Sequence, residues 1–514
     1  MRSVQCPVLW GMCLLSLLQL LLAADSYETV MIFEIYSSGS RAPVNSDLFN
    51  ESWVEKVGPG RITPVGMRQQ YNLGAAVREK FQKLISNIVD LQHVKVYSSG
   101  RSRSLISATT HNQGLFPAGS RFGEDSAASA HSKLARLHKI HPEFSGNLDS
   151  SSRDFAKTEF VSEPAPVPVE SVDQFEDFMF LPRLDKACPH AKELRDSQRY
   201  VKFTNIHLLL NQFREDLKET IDSIKFPSEG KTVISDAVAD FYLKTSFALN
   251  HIWDVVYSSY QYFGVMPSNF SELLYLKLKR LASGLFYLKF SEERIRKLYT
   301  TKISQKIVGV LKELPTDLQK KETPRWRYIG FSGDDDTVGS FLHLLQRAEA
   351  ECHFQTVLKI ETDFLTLDAA TREVLNQQGN KNSTLSSLES EWLKALKHFD
   401  NSCQPIPAYS SSLIFEVVRF QGDGSLHVKF LDKLEYAPVL GDTTQLPISQ
   451  FVEMLENKGI LDNFEELCGN KHFKIVKAGS FVTVMVILVL LICCARGQLL
   501  KYKRIEKHRE NKTK

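Results

Sequence analysis

Apolar and polar positions along the chain follow two different periods. From Glu28 to Tyr36 (ETVMIFEIY) β-branched and aromatic residues run almost unbroken, the pattern of a buried strand. Ser37-Ser38-Gly39-Ser40 closes that run as a turn, and Arg41 sits in it. Arg61-Ile62-Thr63-Pro64 then reads as a helix start, with Thr63 as cap and Pro64 at the first helical position. Val65, Tyr71, Val77, Phe81, Leu84 and Ile85 recur among Arg68, Gln69, Arg78, Glu79 and Lys83, which predicts an amphipathic helix lying on one face of a sheet. Val94 to Ser98 (VKVYS) predicts a second, short strand before another Ser/Gly turn. Strand, helix, strand in that order argues for an α/β core.

The pattern weakens between about Phe122 and Ser171, where Ser, Ala, His and Pro predict loop or insertion. From Thr232 to Leu314 it becomes helical and aromatic, including Trp253, Tyr257, Tyr260 and Phe286, which predicts an inserted helical cap. Such an aromatic stripe reads as packing core rather than ligand cage. Arg327 to Phe331 (RYIGF) predicts a returning buried strand, and Asp334-Asp335-Asp336 an acidic turn into a helix carrying Val338, Phe341 and Leu344. Leu413 to Val418 and His427 to Leu431, joined through Gln421-Gly422-Asp423-Gly424, predict a β-hairpin. Asn376 to Ser387 reads as a polar surface loop.

The two ends differ from this globular pattern. Residues 1–24 combine Arg2, a long apolar stretch and Ala23-Ala24, which is expected of a secretory signal. Residues 478–495 form an uncharged apolar run of 18 residues, about the minimum for a transmembrane helix. Residues 496–514 carry eight basic residues against Glu506 and Glu510, so the positive-inside bias predicts a cytoplasmic tail and a single-pass type I membrane protein. The lumenal or extracellular domain should occupy residues 25–470, with the cap over about 172–315. Removing the tail's +6 from the chain's formal +3 leaves −3, which argues against nucleic-acid binding. The expected partners are the membrane and an unidentified lumenal or extracellular ligand or protein, with cell surface, lysosomal or vacuolar and other endomembrane locations all open.

Four cysteines fall in that domain: Cys188, Cys352, Cys403 and Cys468. In an oxidising compartment they predict two disulfides, with three connectivities open. Asn50, Asn269 and Asn382 lie in glycosylation sequons. Cys493 and Cys494, at the cytoplasmic end of the apolar run, are candidates for palmitoylation.

The order of elements and several short motifs resemble the histidine acid phosphatase family. Gly39, Arg41 and Pro43 fit the end of its RHGxRxP loop, and Ile62 to Gly74 (ITPVGMRQQYNLG) is similar to its first helix. Leu105 to Pro117 contains its SA…LFP continuation, and Phe180-Leu181-Pro182 with Cys188 fits a further segment. Tyr328 to Leu344 resembles the strand and helix around its HD motif, and Tyr409 to Glu416 its late strand. The resemblance spans roughly Glu28 to Leu455. It implies a Rossmann-like α/β core sheet flanked by helices, with a mainly helical cap, and hydrolysis of phosphomonoesters.

In that family a histidine attacks phosphorus while arginine forks hold the equatorial oxygens. The resemblance puts Ser38 at the nucleophile position and Ser37 at the first arginine, leaving Arg41. A further phosphate-binding arginine aligns without gaps on Tyr97; Arg101 or Arg103 would reach the pocket from a shortened turn, or else be solvated loop charges, which is the reading adopted. The family's HD pair falls on Asp334-Asp335, so the proton donor persists as Asp335 while Asp334 places an anion where phosphate would bind. The three carboxylates Asp334 to Asp336 would suit a hard cation, but their spacing follows no calcium loop and an acidic helix N-terminus accounts for them. No metal or cofactor is expected. His190 and His343 read as packing or surface residues. The expectation is a histidine-acid-phosphatase-like pseudoenzyme acting as a binding or surface module; the alternative is an active membrane-bound acid phosphatase with a rearranged site.

Overall fold

The computed structural model describes residues 27–44, 52–85, 88–89, 92–117, 121–122, 167–188, 246–264, 271–321, 323–365, 390, 393 and 403–468. The signal segment, the apolar run 478–495 with Cys493 and Cys494, the basic tail, His190, the loop 376–387 and the sequons at Asn50, Asn269 and Asn382 lie outside them. No helix among the described residues is long and apolar enough to cross a membrane.

In chain order the main elements are β1 (Tyr27–Tyr36), α1 (Pro64–Lys80), β2 (Val94–Ser98), α2 (Ser102–Leu115) and β3 (Val169–Glu170). Three helices follow, α3 (Ser246–Phe263), α4 (Glu272–Leu288) and α5 (Glu293–Lys321). The chain then returns through β4 (Tyr328–Ser332), α6 (Asp335–Leu344) and α7 (Ala350–Leu365) to β5 (Ser412–Phe420), β6 (Leu426–Asp432), β7 (Glu435–Ala437) and β8 (Gln445–Pro447). Eight strands form one sheet in the order β8-β6-β5-β1-β4-β2-β3, with β7 paired to β6. The half containing β1, β4, β2 and β3 is parallel, and β5, β6 and β8 continue it antiparallel. The core is thus mixed α/β, its hairpin formed by β5 and β6.

Strand alternation divides the core. Met31, Phe33 and Ile35 of β1 face the large apolar cluster that includes helices α3 to α7, whereas Ile32 packs with Val77, Val96, Ala108 and Leu115 under α1 and α2. Helix α1 starts as its sequence predicts: the Thr63 hydroxyl accepts the Gly66 N–H at 3.0 Å, with Pro64 next to the cap. It ends at Lys80, so Phe81, Leu84 and Ile85 reach the core from the following turns rather than from the helix itself. Helices α1 and α2 approach backbone to backbone, because a Cβ at Gly74 would run into the His111 carbonyl and one at Gly114 into that of Tyr71.

Under these two helices lies a buried polar network. Glu34, on the same face of β1 as Ile32, accepts Ser412 Oγ on Oε1 at 2.7 Å and Tyr328 Oη on Oε2 at 2.8 Å, and Oε2 also lies 3.1 Å from His111 Nε2. Glu34 and His111 are fully buried, and Tyr36 stacks on the imidazole at 4.5 Å between centroids. Gly330 leaves room for this arrangement, since a Cβ there would come 2.8 Å from Tyr328 Oη. The network ties β1, β4, β5 and α2 together just below the sheet's loop-bearing edge.

The disulfides are Cys188–Cys468 and Cys352–Cys403. The second anchors the segment leading into β5, whose carbonyls at Cys403, Gln404 and Pro405 meet Arg280, His353 and Tyr287 of α4 and α7.

Breaking one side of the buried Glu34–His111 pair should destabilise strongly. Glu34→Ala or His111→Ala is expected to lose about 3–5 kcal/mol of unfolding free energy. In urea denaturation the double variant should lose clearly less than the sum of the two.

Candidate functional site

The parallel register ends in one row: Ser98 lies beside Ser332, Ser332 beside Tyr36, and Tyr36 beside Ser412. The loops after β1, β2 and β4 and the segment before β5 therefore meet at one edge, where ligands bind in open α/β sheets.

The β1 loop is held in place by its own backbone groups and short side chains. Ser37 Oγ donates to the Ala408 carbonyl and accepts the Ser411 N–H, both at 3.0 Å, so this side chain stitches β1 to the start of β5. The Ser38 carbonyl accepts the Ser410 N–H at 3.0 Å, and the Ser38 residue is only 2% exposed. Gly39 N–H donates to Ser107 Oγ and Ser40 N–H to Gln69 Oε1. A Cβ at Gly39 would run into the Gly66 carbonyl, so the loop lies against the first turn of α1 without room for a side chain.

Arg41 is buried and points to the cap. Its Nη1 lies 2.7 Å from Asp254 Oδ1 of α3, and its guanidinium carbon lies 5.7 Å from the Tyr409 ring centroid. The other Asp254 oxygen accepts the Val44 N–H at 2.8 Å. Burial works against the Arg41 charge, but Asp254, Tyr409 and Asp335 outweigh it and its pKa is raised. Tyr409 stacks on Tyr257 at 5.0 Å and shares a hydrogen bond with Ser258 at 2.8 Å. Burial pushes Tyr257 up to about 12, so its phenol stays protonated.

Arg101 and Arg103 are not solvated loop charges. Arg101 Nη1 lies 2.6 Å from one Asp334 oxygen and Arg103 Nε 2.9 Å from the other, and Arg103 is buried. Arg101 also donates to the Pro182 carbonyl. Burial pulls the Arg103 pKa down, as do Arg41 and Arg101, while Asp334 opposes them. Arg101 at the N-cap of α2 and Arg103 in its first turn both meet the β4 loop, a consequence of tertiary pairing that spacing along the chain did not reveal. Tyr97 lies elsewhere, stacked on Phe331 at 5.5 Å with Lys95 and Lys306 over its ring.

Asp334 and Asp335 are neighbours with opposite fates. Burial pushes Asp334 up, but Arg103 and Arg101 hold its carboxyl at about 2. Burial also raises Asp335, with Asp336 and Asp334 adding to the rise and Arg41 opposing it. Asp334 is therefore held as an anion at neutral pH while burial draws Asp335 toward its protonated form. Asp336 pairs with Lys289 at the helix start, and no cluster that could hold a metal ion occurs among the described residues. His343 is far down α6, with burial lowering it to about 4.

Arg41, Asp334 and Asp335 thus converge, as their mutual charge effects show, and the Ser37-Ser38 loop lies at the same strand edge. Asp254 was not legible in the sequence, because nothing in an aromatic-rich cap helix marks one aspartate as the partner of an arginine two hundred residues earlier.

The model of the histidine phosphatase superfamily, branch 2, matches residues 16–349, well over half of the chain. Among curated proteins the chain is 32% identical over 98 residues to a lysosomal acid phosphatase of Xenopus laevis, covering 18% of this chain and 22% of that one. It is 30% identical over 94 residues to a human prostatic acid phosphatase, covering 18% and 24%. These alignments therefore span under a quarter of the relatives' length. A phytase of Hafnia alvei solved with myo-inositol hexakis sulphate shares the fold, with a TM-score of 0.50 and 12% identity over 86% of this chain and 99% of that one.

Because Asp334 has a lowered folded pKa, its ion pairs stabilise the fold above its ordinary carboxylate pKa and are lost as pH falls toward about 2. Wild type should exceed Asp334→Asn in stability by on the order of 2 kcal/mol at neutral pH. Thermal denaturation in phosphate-free buffers should show that gap closing as pH falls from about 4 to about 2.

Proposed function

The chain belongs to the histidine phosphatase superfamily, branch 2, and from that premise we propose that its strand-edge cleft is a disarmed phosphomonoesterase site kept as a binding module. The observation that carries this reading is the state of the β1 loop. Ser38 stands at the nucleophile position and Ser37, in place of an arginine, is engaged with Ala408 and Ser411. A serine hydroxyl attacks phosphorus at useful rates only with an adjacent base or a metal. Three of the described histidines are engaged elsewhere: His111 is enclosed with Glu34 and Tyr328, His93 meets Arg325, and His353 meets Gln404. The cleft cation Arg41 is committed to Asp254, which weakens its hold on a phosphate dianion.

The apolar run 478–495, the basic tail and the sequons support a type I membrane glycoprotein whose cleft faces a lumenal or extracellular ligand. The acid phosphatases to which it is similar agree with a lumenal or secreted domain. One observation favours the second reading, an acid phosphatase with a rearranged site: the raised Asp335 remains suited to protonating a leaving oxygen.

The purified lumenal domain, assayed with an aryl phosphate at acid pH, is expected to show no turnover above a buffer blank. Robust turnover with a trapped phosphoenzyme would overturn the disarmed reading. The Ser37→Arg, Ser38→His double variant should acquire measurable hydrolysis, though far below a working phosphatase, because Asp334 and Asp254 still compete for the arginines.

A further inference from the structure

We propose that Asp334 is a tethered occupant of an oxyanion pocket, its carboxylate filling the seat between Arg101 and Arg103 that a phosphoryl group would take. The cleft is then a masked phosphate site. This rests on the family reading of the cleft given above, but not on whether Ser38 can act as a nucleophile.

The geometry carries the argument. Each carboxylate oxygen of Asp334 is matched to a different guanidinium, Oδ2 to Arg101 Nη1 at 2.6 Å and Oδ1 to Arg103 Nε at 2.9 Å, with Ser104 Oγ 3.4 Å from Oδ1. Two oxygens shared between two arginine forks is how proteins hold a phosphate or another tetrahedral oxyanion. Arg41 adds a third positive field at the same carboxylate without bonding to it. The arginine-bearing turn is built independently of Asp334: Ser99 N–H donates to the Ser332 carbonyl, and Ser332 Oγ to the Ser104 carbonyl, both at 2.9 Å. The two cations would therefore stay near each other if the anion between them were removed.

The helix that Asp334 caps does not itself require the charge. Asp334 stands at the N-cap of α6, a position that asparagine fills as well as aspartate. Its neighbour Asp336 already meets the helix N-terminus and Lys289. A neutral cap would serve the helix and remove the counter-charge of buried Arg103 and of half-buried Arg101, which keeps the Pro182 carbonyl, a state that an incoming oxyanion relieves. Inorganic phosphate and a phosphomonoester present the same oxygens, and a pocket that admits the ester must also have space beyond the arginines.

The test titrates wild type and Asp334→Asn with inorganic phosphate and, separately, phenyl phosphate, at constant ionic strength made up with chloride. Phosphate should raise the melting temperature of Asp334→Asn and bind it on the order of tenfold or more tighter than wild type. Adding Arg103→Gln should abolish the gain. Equal binding by wild type and variant, or a folded variant that phosphate leaves unmoved, overturns the proposal. If Asp334→Asn does not fold in phosphate-free buffer, recovery on refolding with phosphate supports it and failure to recover counts against it. Phosphate binding without phenyl phosphate binding restricts the pocket to the free ion. A catalytically silent wild type whose Asp334→Asn variant gains nothing sinks the masked site alone; aryl-phosphate turnover by wild type sinks the disarmed reading alone.

Discussion

Parallel pairing of β2, β4 and β1 brings Ser98, Ser332 and Tyr36 to one line, and the rest of the site depends on that alignment. Everything that follows each strand must then share one small volume. Three arginines and three aspartates arrive there from loops and helices distant in sequence, and such charges can be withdrawn from water only in near-neutral sets. Arg41 is balanced by Asp254 from the cap, and Arg101 and Arg103 by Asp334 from the adjoining loop.

Internal neutralisation changes what the cleft can attract. On the reading proposed above, a dianion approaching from solvent meets cations whose charges are already answered. The same pairs join elements: Asp254 holds the cap helix to the β1 loop through Arg41 and the Val44 amide, and Asp334 holds the β4 loop to the β2 turn.

Beneath the cleft, Glu34, His111, Tyr328 and Ser412 form a polar layer in an otherwise apolar core. Its directional bonds specify the relative heights of β1, β4, β5 and α2 more narrowly than apolar packing would. The Ser37 stitch to Ala408 and Ser411 continues that positioning one residue further along β1. The loop after β1 is thus held in place from both sides.

Local pattern by itself determined the main strands, the Thr63 cap, the acidic start of α6 and the β5–β6 hairpin, because these depend on periodicity and turn chemistry within a few residues. The family resemblance made Ser38, Arg41, Asp334 and Asp335 the expected site positions. Glu34 read as an ordinary strand residue, since a buried carboxylate differs from an exposed one only in its partners. The disulfide pairing, the commitment of Arg41 to Asp254, and the burial of Arg103 against Asp334 were decided by tertiary structure. Each requires two distant segments to meet, and charge neutralisation in a low-dielectric volume acts on what is near in space, about which spacing along the chain is silent.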